Sequence, residues 1–356
     1  MDPLTQGLVG AALPMATQRR PRVVIAALCG FLGGLAPDLD IAISSSQDNL
    51  LFLEFHRHFT HALIFIPVGS ACVAACIFGF ARRHIKLGYM SIWMFCALGY
   101  ATHGLLDTTT SYGTHLLWPF DNSRFALSLI SIIDPLFTLP ILGFVLTGLI
   151  CRNCYWARAA LVWGALYLGA GAWQHHGAMA QARGLAASRD HIPERVTVKP
   201  SFANIFLWRS VYEVNGRFHV DAVRPWPSPR IIPGSVAPQL DISRDLPWLE
   251  LESQQARDIE RFRFFSQDFL VKGSDFRPNI FDVRFAFLPT EIAALWYIRL
   301  DPYADNFAHA VYETERSHSL ELLADLVDMV FSESQPNLKP AALNREPCLG
   351  CRGSSD

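Results

Sequence analysis

The chain has 356 residues, 51% of them apolar and 17% charged, with a net charge of −2 and a mean hydropathy of +0.21. That is too apolar for an ordinary soluble protein and too mixed for a pure transporter. The near-neutral charge excludes a globally basic nucleic-acid-binding surface, and the length allows about two domains.

Asp2-Pro3 reads as a helix start, with aspartate as N-cap and proline in the first turn. The apolar run 3–16 follows an acidic residue rather than a basic segment, so no cleavable signal peptide is expected. A second run, 23–36, carries Gly30, Gly33 and Gly34, small residues that let helices approach closely in a membrane. Pro37-Asp38-Leu39-Asp40 stops it. A polar loop leads to His56-Arg57-His58-Phe59-Thr60-His61, three imidazoles, a guanidinium and a hydroxyl in one short stretch.

Residues 61–80 and 88–106 are the clearest membrane spans, each about long enough to cross a bilayer. A stretch rich in Thr, Ser and aromatics follows, over 107–122. Asp134 should cap a helix from 135 to 150, which Pro140 could kink, and a last short apolar run covers 159–173. Cys29, Cys72, Cys76 and Cys96 lie in apolar runs and read as core residues. Cys151-x-x-Cys154 and Cys348-x-x-Cys351 have zinc-knuckle or redox spacing, but each supplies only two ligands, which argues against a metal site at either.

Basic residues fall on one side of this arrangement: Arg19, Arg20, Arg22, Arg82, Arg83, Lys86, Arg152 and Arg158, against Arg57 and Arg124 on the other. The positive-inside rule puts the first set in the cytoplasm. Asp2, Asp38, Asp40, the histidine cluster, His103, Asp107, His115 and Asp134 then share the outer face. Arg183 and Arg189 follow the last apolar run. If that run fails to cross, the C-terminal domain is cytoplasmic.

After about residue 176 the pattern changes. Residues 208–214 and 217–223 flank Asn215-Gly216, a strong hairpin signal. Phe281, Val283, Phe285 and Phe287 alternate as in a half-buried strand, as do Ala294, Trp296, Ile298 and Leu300. Helices are expected at 253–269 and 319–331. The predicted architecture is mainly α: a multi-helix integral membrane domain (1–175), a soluble α+β domain (176–331) and a disordered tail (332–356).

His103 and Asp107 are four apart and share a helix face. They could reach one ion or two, or the carboxylate could simply orient the ring. Asp38 and Asp40 project from a turn that could also be merely solvated. His58 and His61 share a face, and His56 meets His61 if the chain bends before the helix, with Thr60 as cap. Arg57 could hold a phosphate or meet lipid headgroups. Three carboxylates and three imidazoles exceed the four ligands of one zinc. A two-metal centre suited to phosphoester or amide hydrolysis is therefore plausible. The lack of cysteine ligands points to zinc, with manganese or iron as alternatives. No glycine-flanked serine elbow supports a Ser–His–Asp site.

Met1-Asp2-Pro3-Leu4-Thr5-Gln6-Gly7, Pro37-Asp38-Leu39-Asp40, His56-Arg57-x-Phe59-Thr60-His61, His103-x-x-x-Asp107, Tyr112-Gly113-Thr114-x-Leu116-x-Trp118-Pro119-Phe120 and Ile133-Asp134-Pro135-Leu136-Phe137 resemble the YdjM-like family of membrane-bound metal-dependent hydrolases. The resemblance covers residues 1 to about 150. That family is regarded as distantly similar to zinc-dependent phospholipase C and the single-strand nucleases. The resemblance implies Asp38, Asp40, His56, His61, His103 and Asp107 as metal ligands. His58 and His115 depart from the family pattern, so either could add a ligand.

Two readings follow. In the first, a membrane hydrolase cuts a phospholipid or another phosphoester, with Asp38, Arg57 and Asp134 as further catalytic groups and membrane lipid, not nucleic acid, as its partner. In the second, the metal is structural or sensed, and the α+β domain recruits a partner. A transporter fits less well, because apart from Asp134 the ionisable groups sit at run ends.

Overall fold

The computed structural model describes residues 1–81, 83, 86–273, 278–315 and 320–332. Its N-terminal part is helical: α1 (Pro3–Thr17), α2 (Val23–Leu35), α3 (Leu51–Phe55), α4 (Ile66–Ala81), α5 (Tyr89–Thr108), α6 (Pro135–Cys151) and α7 (Cys154–Ser188). The C-terminal part follows in the order β1 (Arg195–Pro200), β2 (Trp208–Val214), β3 (Arg217–Arg224), β4 (Arg230–Ile232), β5 (Val236–Pro238), α8 (Ile242–Asp245), α9 (Gln254–Ser266), β6 (Leu270–Lys272), β7 (Asn279–Asp282), β8 (Trp296–Arg299), β9 (Val311–Thr314) and α10 (Leu320–Phe331). One antiparallel sheet runs β1-β2-β3-β4 with β5 also on β3, and a second runs β6-β7-β8-β9.

The caps form as the sequence predicts. Asp2 accepts the Thr5 backbone N–H at the start of α1, and Asp134 accepts that of Phe137 at the start of α6. These bonds satisfy donors that a helix start leaves without partners. The β2–β3 hairpin pairs Val214 with Arg217. Asn215 and Gly216 both have positive φ, as a two-residue hairpin turn of this hand requires.

Helix α2 packs between α1 and α5 at backbone contact. A Cβ on Gly99 would collide with the Gly30 backbone, one on Gly33 with Cys96, and one on Gly34 with the Gln6 carbonyl. This close approach aligns the end of α2 with the end of α5, where the chemistry-bearing residues sit.

Among the described residues two helical stretches are long and apolar enough to cross a membrane, Val23–Ala42 and Leu63–Phe80. The first is α2 continued by a 3-10 turn, Ala36–Ala42, where the run was expected to stop at Pro37. Helix α5 has 20 residues but carries Tyr100, Thr102, His103 and Asp107. Helix α4 begins at Ile66, not at 61, because two short 3-10 turns precede it, at Phe59–His61 and Leu63–Phe65. Thr60 caps neither; its hydroxyl donates to Asp40.

The short run expected at 159–173 is the middle of the 35-residue helix α7, which passes through the expected boundary at 175/176. Its first half packs on α1 and α6 and its second half on β1 and β2. The alternation over 281–287 forms a strand only as far as Asp282. That side chain turns back to accept the Arg284 N–H and guanidinium, which ends β7 in a turn. The helix expected at 253–269 ends at Ser266, where Gln267 adopts a left-handed cap. Residues 333–356, with Cys348 and Cys351, lie outside the described residues.

The two parts are joined by apolar contact. Leu50 and Leu53 of the loop and α3 are buried in one cluster with Leu246, Ile259 and Phe262 of the C-terminal part. Met15 and Phe137 share another with Val198 and Trp208. Arg261 of α9 pairs with Asp48 and Glu54.

Candidate metal centre

The site lies where α2, the 3-10 turn at 59–61 and α5 converge. In the turn after α2, Asp40 is buried and Asp38 partly so, while Leu39 and Ile41 project outward. His61 comes from the short turn before α4. A Cβ on Gly104 of α5 would strike its backbone carbonyl, so only a glycine allows the turn and α5 this close. His103 and Asp107 stack one helical turn apart on α5, as the i, i+4 spacing predicts.

Four donor atoms meet. His61 Nε2 lies 2.9 Å from His103 Nε2. Asp38 Oδ1 lies 3.4 Å from the first and 3.3 Å from the second. Asp107 Oδ2 lies 3.3 and 3.7 Å from the same two nitrogens. Ligands about 2.0–2.1 Å from a zinc ion stand about 3.3 Å apart at the corners of a tetrahedron. The separations from the two nitrogens, 2.9 to 3.7 Å, bracket that spacing.

The tautomers say what is missing between them. His103 Nδ1 lies 2.6 Å from the Gly34 carbonyl, so it carries the proton and donates it. His61 Nδ1 lies 3.2 Å from Asp40 Oδ2 and is oriented by it. His103 Nε2 therefore presents a lone pair toward His61 Nε2 and two carboxylates, while, against the effect of burial, hydrogen bonds to Asp107, Asp38 and Asp40 raise the His61 imidazole to about 10. Asp107 Oδ2, facing the same point, is buried without a well-directed hydrogen bond, its contacts to Arg57 Nε, His61 and His103 being 3.2, 3.3 and 3.7 Å. Such a donor set suits a cation, and imidazoles fixed through the opposite ring nitrogen are the usual arrangement around a metal.

The surrounding residues hold the donors. Asp107 Oδ1 accepts from the Met1 amino group at 2.5 Å and from Gln6 Nε2 at 2.9 Å. Arg57 Nε stands 3.2 Å from Asp107 Oδ2, and its Nη1 donates to Thr110. Arg57 is buried and adopts a positive φ of 64°, a conformation costly for a non-glycine residue. The turn directs its guanidinium inward, away from lipid headgroups, and its N–H onto Asp40. Asp40 is the hub of this layer, accepting from Arg57 N–H, the Thr60 hydroxyl and His56.

Of the six expected ligands, Asp38, His61, His103 and Asp107 form one group; Asp38, Asp40 and His56 form a second that shares Asp38. Asp134 belongs to neither, and its Oδ1 accepts from Phe137 and Tyr167. His58 and His115 face each other, ring centres 4.8 Å apart, on a neighbouring cavity of about 510 Å³ that Arg124, Arg261 and Phe265 also line. Burial, and then the Arg124 charge, push the His115 imidazole down to about 4. Burial and Arg124 lower His58 too. Sequence reasoning missed the Met1 amine and Gln6 as Asp107 partners. The shared apolar run of α1 gave no sign of which end would meet α5.

A family model described as YdjM inner membrane protein matches residues 1–178, half of the chain. The chain belongs to the YdjM inner membrane protein family. All six expected ligands lie inside the matched YdjM segment. Over 113 residues the chain is 29% identical to the uncharacterised protein YfhP of Bacillus subtilis (strain 168), a match covering 32% of each chain. Over 107 residues it is 31% identical to the inner membrane protein YbcI of Escherichia coli (strain K12), covering 30% of this chain and 58% of that relative. The matches thus span less than two thirds of either relative's length. No solved structure matches.

Proposed function

We propose that this YdjM-family protein is an integral membrane hydrolase that cleaves phosphoesters, lipid phosphoesters in particular, at the outer face of the inner membrane. The observation that carries this reading is Asp38. It serves both candidate ligand groups, and it is the one member of the buried four whose side chain reaches solvent, at 24% exposure. A carboxylate shared by two adjacent groups suits a two-ion centre, and its exposed side gives substrate a way in. Leu39 and Ile41 project beside it, as expected for a site that meets lipid.

Asp38, His61, His103 and Asp107 would hold a divalent cation, zinc first, with manganese or iron suiting the same donors. Bound there, the cation supplies Lewis acidity and makes a water acidic enough to attack at neutral pH. The chain's own groups do the rest. Asp40 and the Gly34 carbonyl fix the two imidazoles with Nε2 inward. Arg57, Gln6 and the Met1 amine hold Asp107 ionised. Asp38, at the open side, is placed to take the proton of the attacking water. In this reading Arg57 acts through Asp107 rather than on substrate, and Asp134 serves α6 as its cap.

A second reading is favoured by the four converging protein donors, which could close the shell of a purely structural ion. Turnover separates the two. Protein purified in detergent should contain stoichiometric divalent metal by elemental analysis and hydrolyse a chromogenic phosphodiester or a phospholipid in mixed micelles. His61→Ala and Asp107→Ala should lose both properties. Metal without turnover supports the structural ion, and a wild-type protein free of metal defeats both.

A further inference from the structure

Away from the metal centre, the loop after α5 and the C-terminal sheets enclose two adjoining cavities that share Ser111, Lys199 and Arg284. The smaller, about 120 Å³, is polar: Arg124 and the hydroxyl-bearing Tyr112, Ser128 and Thr197 complete its wall. The larger, about 290 Å³, is mainly apolar, lined by Ile132, Phe202, Phe285, Leu295 and Trp296. Ile133 and Phe202 at its edge are partly exposed. They place its mouth just before α6.

The charges in the smaller cavity do not balance. Arg284 holds Asp282 with its Nε and Nη2. Lys199 is buried, and its hydrogen bond goes to the Ser111 carbonyl while its ammonium sits over the Phe285 ring. Arg124 donates to the Gly113 carbonyl and lies over Phe265, and its Nε is buried without a partner. Among the described residues neither Lys199 nor Arg124 has a carboxylate partner. Arg124, Lys199 and Arg284 thus share the single carboxylate of Asp282, an excess of positive charge in a largely buried space that a bound anion would relieve.

We propose that these joined cavities bind a single-chain anionic amphiphile, its phosphate-class headgroup held by Arg124, Lys199 and Arg284 and its alkyl chain lying along Phe285, Leu295 and Trp296. The site does not depend on the hydrolase reading, because none of its residues belongs to the metal groups. The anion chemistry alone would also suit free phosphate, and the apolar chamber is what favours the amphiphile.

The test is isothermal titration of the full-length protein in neutral nanodiscs with decyl phosphate, inorganic phosphate and decanol. Decyl phosphate should bind at least about tenfold more tightly than either of the others. Lys199→Met and Arg124→Gln should each weaken it about tenfold or more, a loss of about 1.4 kcal/mol, with metal content unchanged. Ala286→Phe, which fills the larger cavity, should weaken decyl phosphate and leave inorganic phosphate as in wild type. Equal binding of inorganic and decyl phosphate would overturn the amphiphile in favour of a free anion. Equal binding of decanol, no binding of decyl phosphate, or variants that bind like wild type would overturn the site itself.

Discussion

Each metal-centre residue has a position that predicts its behaviour on substitution. Asp40 orients His61 without joining the group of four, so Asp40→Asn should leave a folded protein with metal affinity lowered about 10–100-fold. Competition with a chromogenic chelator would measure it, and His103→Ala should retain no metal in the same assay. At the second site, burial and then Arg284 push the Lys199 ammonium down to about 7, against the opposing charge of Asp282. His175 of α7 also faces Lys199, and burial and that ammonium hold its imidazole down. A rise in pH through about 7 removes the Lys199 charge. The Lys199-dependent part of decyl phosphate affinity should therefore fade between about pH 6 and 8 and be absent from Lys199→Met. The four donors were legible in the sequence because two are a helical turn apart and the others stand beside turn signals. The role of Arg57 was not, since it depends on a left-handed backbone and on Asp107, 50 positions away.

At the level of elements, the site is held by the glycine crossing of α2 and α5. A methyl on Gly99 would push the Gly30 backbone away and carry the Gly34 carbonyl off His103. Gly99→Ala should cost about 1–3 kcal/mol and lower bound metal, read by thermal unfolding in detergent and elemental analysis. Gly79→Ala, where a Cβ has nothing within 4 Å, is the control and should behave as wild type. Helix starts at Asp2 and Asp134 and the Asn215-Gly216 hairpin were visible because capping and turn chemistry is local. The length of α7 was not. Beyond Trp173 its buried face is Gln174, Ala178, Ala182 and Ala186, small residues that pack on the chain's own strands and leave no apolar signature. The strand expected at 281–287 failed for a reason no alternation can show, namely that Asp282 prefers its own turn with Arg284.

For the whole molecule, the ion pairs of Arg261 with Asp48 and Glu54 keep the C-terminal part on the same side as the loop that leads to the histidines. Exposed Cys151 lies at the opposite end of α7 from the strands it reaches. At about 1.5 Å per residue, that helix is longer than a bilayer's hydrocarbon core is thick. In intact spheroplasts an impermeant thiol reagent should label Tyr303→Cys, placed where the side chain is almost fully exposed. Cys151 should react only after permeabilisation. Labelling of Cys151 alone would reverse the orientation, and labelling of both would put the two ends on one side and overturn the crossing. The charge count in the loops carries the same expectation. The shared burial of Leu50 and Leu53 with α9 did not show there, because two leucines in a polar loop carry no address.

The donors of the metal centre come from three separate stretches of chain, and Asp107 is fastened by Met1 and Gln6 at one end and Arg57 in between. On the proposed reading no fragment emerging from the ribosome before α5 could hold an ion, whereas every donor has emerged by the end of α5, so capture could precede synthesis of the C-terminal part. Without the ion, Asp38 and Asp107 lean on the His61 and His103 rings, and the Met1 amine and Arg57 reach Asp107 alone. In zinc-starved cells the unloaded chain should therefore be the form that membrane proteases clear first, and a pulse-chase with and without chelator would show it as a shortened half-life.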